Sequence, residues 1–262
     1  MRFGLCTSLE NRTDAMLAAE AGLDYIELPL AATYAKGNDW QQECRSMLSD
    51  AGLRAEAFNG FFGAAFHLLG PERTPETQIM DYVRASADMA AQFGAQVLVL
   101  GSGRARFLPE GVSAQQAQPE FLALLDQIAD VMKDRKLQLV IEPLRYQETN
   151  YINTFRQCVE LTSALGRAEV APLLDLYHFF CNEEPMDDLQ LGSGGRLRHA
   201  HIARPNIDRC PPTGADAAVL RRWAQGLREA GYDGRLSLEC RWTESKREEV
   251  LEAAKQLKTI FG

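Results

Sequence analysis

The apolar pattern of this chain alternates eight times between the spacing of a strand and that of a helix, always strand first. Short β-branched or aliphatic runs at residues 2–6, 25–28, 54–58, 96–100, 138–142, 171–175, 198–202 and 236–240 are the strand candidates. Between them, Phe121, Leu124, Leu125, Ile128 and Met132 share one helical face, as do Leu220, Trp223, Ala224 and Leu227, and later Val250, Ala254, Leu257 and Phe261. Such faces predict amphipathic helices that cover a sheet. Gly22, Gly52, Gly94 and Gly231 each close a helical stretch a few residues before a strand, where a left-handed residue ends a helix.

Strands separated by helices must run parallel, because each crossover returns the chain to the same edge. Eight such units in 262 residues have the size of a TIM (β/α)8 barrel, with a doubly wound open sheet as the second choice. No Ser/Pro-rich linker or charge run divides the chain, so residues 1–262 are expected to form a single domain. Two longer connections, 59–74 and 176–195, leave the carboxyl ends of strands, where barrels place their chemistry. They are candidate lids or pocket walls.

Composition removes several classes of function. With 36 acidic against 28 basic residues the net charge is -8, so the average surface repels phosphate backbones and no nucleic-acid partner is expected. The first residues turn polar at Thr7, before any apolar run fit for a signal peptide or a membrane span, and a cytoplasmic protein with no membrane partner is expected. The six cysteines include no Cys-x-x-Cys pair and are expected to stay reduced. Cys6 and Cys240 would be neighbours if the first and last strands pair, as small packing residues in preference to site-lining thiols.

Four metal-competent side chains stand at or just inside the ends of the last four strand candidates: Glu142, Asp175, His201 and Glu239. A single acid at a strand end is ordinarily a salt bridge or a helix cap, and a lone histidine a satisfied core residue. Four in succession, each closing an apolar run, need a different account. Unpaired buried carboxylates cost several kcal/mol each, so three of them converging at one rim require a cation. Three carboxylates and one imidazole form a hard, mostly oxygen ligand set that suits one divalent ion, Mn²⁺ first, then Mg²⁺, with Co²⁺ or Zn²⁺ as substitutes.

The chain resembles the sugar isomerase/epimerase family with a xylose-isomerase-like TIM barrel, and within it the ketose 3-epimerases and sugar phosphate isomerase/epimerases. The motifs that carry the resemblance are Ile141-Glu142-Pro143-Leu144, Glu148-Thr149-Asn150-Tyr151-Ile152-Asn153-Thr154, Leu174-Asp175-Leu176-Tyr177-His178, His199-Ala200-His201-Ile202-Ala203 and Ser237-Leu238-Glu239-Cys240. The resemblance implies that Glu142, Asp175, His201 and Glu239 hold the metal and that Glu142 and Glu239 are the catalytic acid/base pair. It implies substrate-binding roles for Glu148, His178 and an arginine, Arg209 before Arg204. A homo-oligomer built through outer helices is implied as well. The turn Arg145-Tyr146-Gln147 departs from the family's Asn-Arg-Tyr.

The expected substrate is a small sugar or sugar phosphate. A cation that stabilises an enediolate makes the proton beside a carbonyl removable, and two glutamates on opposite faces turn its removal and return into epimerisation. Shuttling between adjacent carbons by one group would instead interconvert aldose and ketose, and loss of water would make a dehydratase. An endonuclease IV-like activity fits poorly, since the chain has four histidines and an acidic balance. A sugar-binding protein without turnover is a further alternative.

Other residues have two readings each. Glu27 either reaches the pocket or pairs with a neighbouring arginine in the barrel interior. The turn Gly101-Ser102-Gly103-Arg104-Ala105-Arg106 either presents amides and guanidinium groups to an anion or is an ordinary strand-to-helix turn. Phe61, Phe62, Phe66 and Trp242 either line the pocket mouth or pack, and His67 is expected to face solvent.

Overall fold

The computed structural model describes residues 1–262. Its eight parallel strands are β1 (Arg2–Cys6), β2 (Tyr25–Pro29), β3 (Ala55–Asn59), β4 (Val97–Leu100), β5 (Gln138–Ile141), β6 (Val170–Asp175), β7 (His199–Ile202) and β8 (Arg235–Leu238). They pair in sequence order, and β1 pairs with β8 to close the barrel. Closure removes both sheet edges, which is what selects a barrel over an open doubly wound sheet.

The helices are α1 (Asp14–Glu20), α2 (Leu30–Ala35), α3 (Gly37–Asp50), α4 (Glu76–Gln92), α5 (Ala114–Arg135), α6 (Phe155–Leu165), α7 (Leu176–Cys181), α8 (Ala217–Glu229) and α9 (Lys246–Ile260). There are nine because the connection from β2 to β3 holds two. Between β6 and β7, the short α7 and a 3₁₀ segment, Met186–Gly192, replace the usual outer helix. The apolar faces read from α5, α8 and α9 are buried against the strands. Burying each of their large aliphatic side chains contributes about 1.5–3 kcal/mol. Gly22, Gly52, Gly94 and Gly231 all take left-handed φ, from 64° to 80°, as helix ends require. No helix is long and apolar enough to cross a membrane.

Strand alternation separates two cores. Outward residues join the helices, while Tyr25, Ala57, Val97, Val99, Val140, Ala171 and Leu173 form a second cluster inside the barrel. The barrel floor is polar: Glu56 receives Arg235 Nε at 2.8 Å and Arg2 Nη2 at 2.5 Å. The interior thus passes from ion pairs at the amino end through an apolar belt to the carboxyl end. There β5 and β8 stop earlier than their apolar runs suggest, leaving Glu142 and Glu239 just past the strands. One main-chain bond each still anchors them, Glu142 N–H to Leu100 O at 3.2 Å and Glu239 N–H to Ile202 O at 3.1 Å.

Two consequences can be measured. A Cβ on Gly4 would lie 2.3 Å from the Tyr25 ring, whose hydroxyl is held 2.7 Å from Ser237 Oγ. Gly4→Ala is therefore expected to lower stability by about 1–3 kcal/mol, read as a drop in Tm; an unchanged Tm would mean that the ring moves freely. Separately, burial pushes the Glu184 carboxyl up to about 8 from 4.5, although the Phe155 N–H donated to it opposes the shift. The folded state then holds this proton more tightly than the unfolded state does, so Glu184 costs stability as pH rises from about 4.5 to 8. Glu184→Gln should raise Tm relative to wild type at pH 8 and leave the two alike at pH 4.5 or below, measured by calorimetric scans across that range.

Candidate functional site

At the carboxyl end of the barrel, the side chains from the last four strand ends meet. His201 is fully buried in β7, level with Asp175 on β6. Its Nδ1 lies 3.0 Å from Glu142 Oε1 and 2.9 Å from Glu239 Oε2. Asp175 closes β6 and also caps α7, its Oδ1 accepting the main-chain N–H groups of Tyr177 at 2.7 Å and His178 at 3.3 Å. That cap fixes the carboxylate and leaves Oδ2 facing the mouth. One ligand atom from each of Glu142, Asp175, His201 and Glu239 lies within 4.8 Å of the others.

Arg209, in the loop after β7, reaches over this cluster from a left-handed backbone position with φ 57°. Its Nη2 donates to Asp175 Oδ2 at 2.9 Å and to Glu239 Oε2, and its guanidinium lies 4.9 Å from the Tyr177 ring centre. Arg204, the alternative from sequence, turns away to Asp216 at 3.0 Å. His178 is buried in the cavity wall. Its Nδ1 accepts the Arg145 N–H at 3.3 Å, while its Nε2 has no hydrogen-bond partner. Glu148 lines the same cavity and pairs with Arg145 Nε at 2.7 Å. The cavity has a volume of about 220 Å³.

Its electrostatics are those of concentrated negative charge. Burial raises the Glu142 carboxyl above its ordinary range, and the nearby Glu239 charge pushes it the same way. Burial would raise Glu239 too, but the charges of Arg209 and His201 outweigh it and hold that group low. For His201, burial favours the neutral ring, yet the charges of Glu27, Glu239 and Glu142 prevail and raise its pKa well above the ordinary value. Arg209 is raised as well: burial opposes its charge, and the surrounding carboxylates more than compensate. A divalent cation fits these residues. Four donor atoms of the right type lie within 4.8 Å of one another, and the acids that carry three of them repel one another.

Several sequence expectations change here. Glu27 has no arginine partner. It lies fully buried inside the barrel, with His201 Nε2 at 2.8 Å from Oε1 and His199 Nε2 at 2.8 Å from Oε2, and Arg235 is taken by Glu56 instead. The glycine-rich turn after β4 makes no cationic anion cradle. Arg106 is completely buried and donates to the main-chain oxygens of Glu142 at 2.7 Å and Leu100 at 3.1 Å, tying the end of β5 to that of β4. Both of its terminal nitrogens are engaged by carbonyls, and Arg104 is exposed. Phe61, Phe62 and Phe66 pack with Tyr82, and Trp242 packs against the core, so the mouth is polar. His67 is exposed, as expected.

The connections at 59–74 and 176–195 form wall and core: Asn59 and His178 line the cavity, and Phe61 and Leu68 are buried. The Cys6 thiol, read as packing, instead comes within 4.8 Å of ligand atoms of Glu27 and His201. Cys240 turns to Ile202 O at 3.6 Å.

Sequence reading did not assign roles to Asn59, whose Nδ2 donates to Glu239 Oε1 at 3.1 Å, or to His199. The His-x-His spacing was a usable signal for the latter, because residues two apart on a strand share a face. Gly101 has a steric role: a Cβ there would lie 1.9 Å from Glu142 Oε2.

The family model for the xylose isomerase-like TIM barrel matches residues 16–260. The chain is 25% identical over 217 residues to a ketose 3-epimerase of Arthrobacter globiformis, an alignment covering 82% of this chain and 72% of that one. It is 25% identical over 190 residues to an L-ribulose 3-epimerase of Methylomonas sp. (strain DH-1), covering 71% of this chain and 63%, less than two thirds, of that protein. Its fold matches D-psicose 3-epimerase from Clostridium cellulolyticum H10, crystallised with D-tagatose, with a TM-score of 0.85 at 14% identity over 100% of this chain and 99% of that one.

Gly101→Ala tests the steric fit of the cluster. The added methyl must displace the Glu142 carboxylate, so Mn²⁺ affinity measured by calorimetry is expected to fall about 10–100-fold with the far-ultraviolet circular dichroism unchanged. Wild-type affinity in that variant would show that Glu142 does not need its present position.

Proposed function

The chain belongs to the xylose isomerase-like TIM barrel family, and on that footing we propose that it is a metal-dependent ketose 3-epimerase of an unphosphorylated sugar. The observation that carries this reading is the convergence of Glu142, Asp175, His201 and Glu239 on one point at the carboxyl end of the barrel. The names of the Arthrobacter and Methylomonas relatives agree with it.

Glu142, Asp175, His201 through Nδ1, and Glu239 hold one divalent ion, Mn²⁺ by the hardness of the set, with Mg²⁺, Co²⁺ or Zn²⁺ able to substitute. When bound, the ion supplies positive charge beside the oxygens of the ketose, where negative charge develops as the proton leaves. Glu142 and Glu239 come from β5 and β8, with β6 and β7 between them, and so reach the sugar from different sides. One carboxylate takes the C3 proton and the other returns a proton to the opposite face, which inverts that centre. Asn59 and Arg209 hold Glu239 through both of its oxygens, Oε1 and Oε2, so its carboxylate enters the reaction already oriented. His178, through its unpartnered Nε2, and Glu148 bind sugar hydroxyls.

The charge of the lining selects against a phosphate ester. Among the residues around the cavity, Arg209 is the one lysine or arginine, and Asp175 and Glu239 already engage it. Glu142, Glu148 and Glu239 line the same space and offset the charges of Arg209 and the divalent ion, so no surplus positive charge is left to pair with a phosphate dianion. A neutral ketose needs no such surplus, and amide, carboxylate and imidazole groups are present to bind its hydroxyls.

The test is a panel of ketoses and ketose phosphates incubated in deuterated water with the Mn²⁺-loaded protein. Deuterium at C3 together with the C3 epimer of a free ketose is the expected result. An aldose product would move the assignment to isomerase, and an unsaturated or deoxy product to dehydratase. Glu239→Gln should lower C3 exchange by at least about 10²-fold while the barrel still folds, and undiminished exchange would remove Glu239 from the acid/base pair.

A further inference from the structure

We propose that Glu27 is a positioning residue for the cation site: it fixes the orientation and tautomer of His201, so that Nδ1 is the nitrogen offered to the metal. The inference rests on the metal-site reading above and extends it to residues deeper in the barrel.

Glu27 ends no surface network. Its Oε1 lies 2.8 Å from His201 Nε2, and its Oε2 lies 2.8 Å from His199 Nε2 and 2.6 Å from Ser237 Oγ. All four groups are fully buried. A carboxylate can only accept, so each of these three neighbours must donate to it. His201 Nε2 therefore carries a proton with or without an ion, and the proton that a cation would displace is the one on Nδ1, the atom that faces Glu142 and Glu239.

The proton assignment is consistent along the rest of the chain of bonds. His199 Nδ1 is buried without a partner, which is the place for a bare lone pair once Nε2 holds the proton. Ser237 gives its single proton to Glu27, so the Tyr25 hydroxyl, 2.7 Å away, donates to Ser237 Oγ. The network thus runs from the apolar belt of the barrel up to the proposed cation, and every step has one direction. It holds the imidazole plane from behind, where no loop movement at the mouth can reach it. Partners of this kind behind a ligating histidine typically change metal affinity 10–100-fold when removed.

An amide at position 27 cannot accept from three donors without turning its NH₂ toward one of them. Glu27→Gln is expected to raise the Mn²⁺ dissociation constant about 10–100-fold, measured from free Mn²⁺ by electron paramagnetic resonance, with kcat at saturating Mn²⁺ changed far less. In the Mg²⁺-loaded wild type, ¹⁵N-histidine spectra should show a slowly exchanging proton on His201 Nε2 and none on Nδ1. That signal is expected to broaden or shift in the variant, which a general loosening of the fold would not produce alone. If Glu27→Gln fails to fold, Glu27→Asp, which keeps the charge but withdraws it by one methylene, serves for the same comparison. A folded variant with wild-type Mn²⁺ affinity and an unaltered Nε2 proton overturns the inference. Wild-type protein that binds no Mn²⁺ overturns the underlying metal-site reading instead.

Discussion

The concentration of carboxylates around His201 is the constraint from which the rest of the carboxyl end follows. Three acids with ligand atoms within 4.8 Å of a common imidazole repel one another in a largely buried place where water screens them weakly. The fold answers with positive charge and donors from several directions: Arg209 from the loop after β7, the helix N–H groups of α7 on Asp175, and the Asn59 amide on Glu239. None of these donors removes the excess charge, and the site is left suited to a divalent cation.

Barrel register makes the convergence possible. Asp175 pairs with His201 across β6 and β7, and His201 pairs with Ser237 across β7 and β8, so inward positions on neighbouring strands fall at one depth. Glu142 and Glu239 lie one residue beyond their strands, where the chain has left the ladder and a larger side chain can turn over the mouth. Gly101 and Arg106 then define the space for Glu142, the first by the absence of a side chain and the second by holding its carbonyl. The interior at the opposite end of the barrel is closed by the Arg2–Glu56–Arg235 network. Stability and chemistry thus occupy opposite ends of one interior.

The polar mouth distinguishes this cavity from the aromatic one its nearby phenylalanines suggested. Phe61 and Phe62 bury themselves around Tyr82 because the connection after β3 folds back onto α4. What remains for a ligand is amide, carboxylate, imidazole and glycine, with Leu144 at the side. Such a lining matches a small polyhydroxylated molecule better than an apolar or multiply charged one.

Much of this was legible in the order of residues. Period-two runs alternating with period-3.6 faces specify parallel strands under helices, and left-handed glycines mark where α1, α3, α4 and α8 stop. The same runs carried Glu142, Asp175, His201 and Glu239 at their ends, because strand ends are the positions that a barrel exposes to one rim. Partner choice was not legible. Glu27 could be seen to point inward, yet whether it would meet an arginine or an imidazole depended on which of Arg235 and His199 lay at its depth. Depth is a property of the closed barrel: strand stagger carried Arg235 to the floor and His199 to the level of Glu27. Sequence therefore determined the elements and the chemical kinds at their ends, through local periodicity and chirality. The tertiary structure alone decided which groups touch, because contact between residues more than a hundred positions apart is fixed by register and closure.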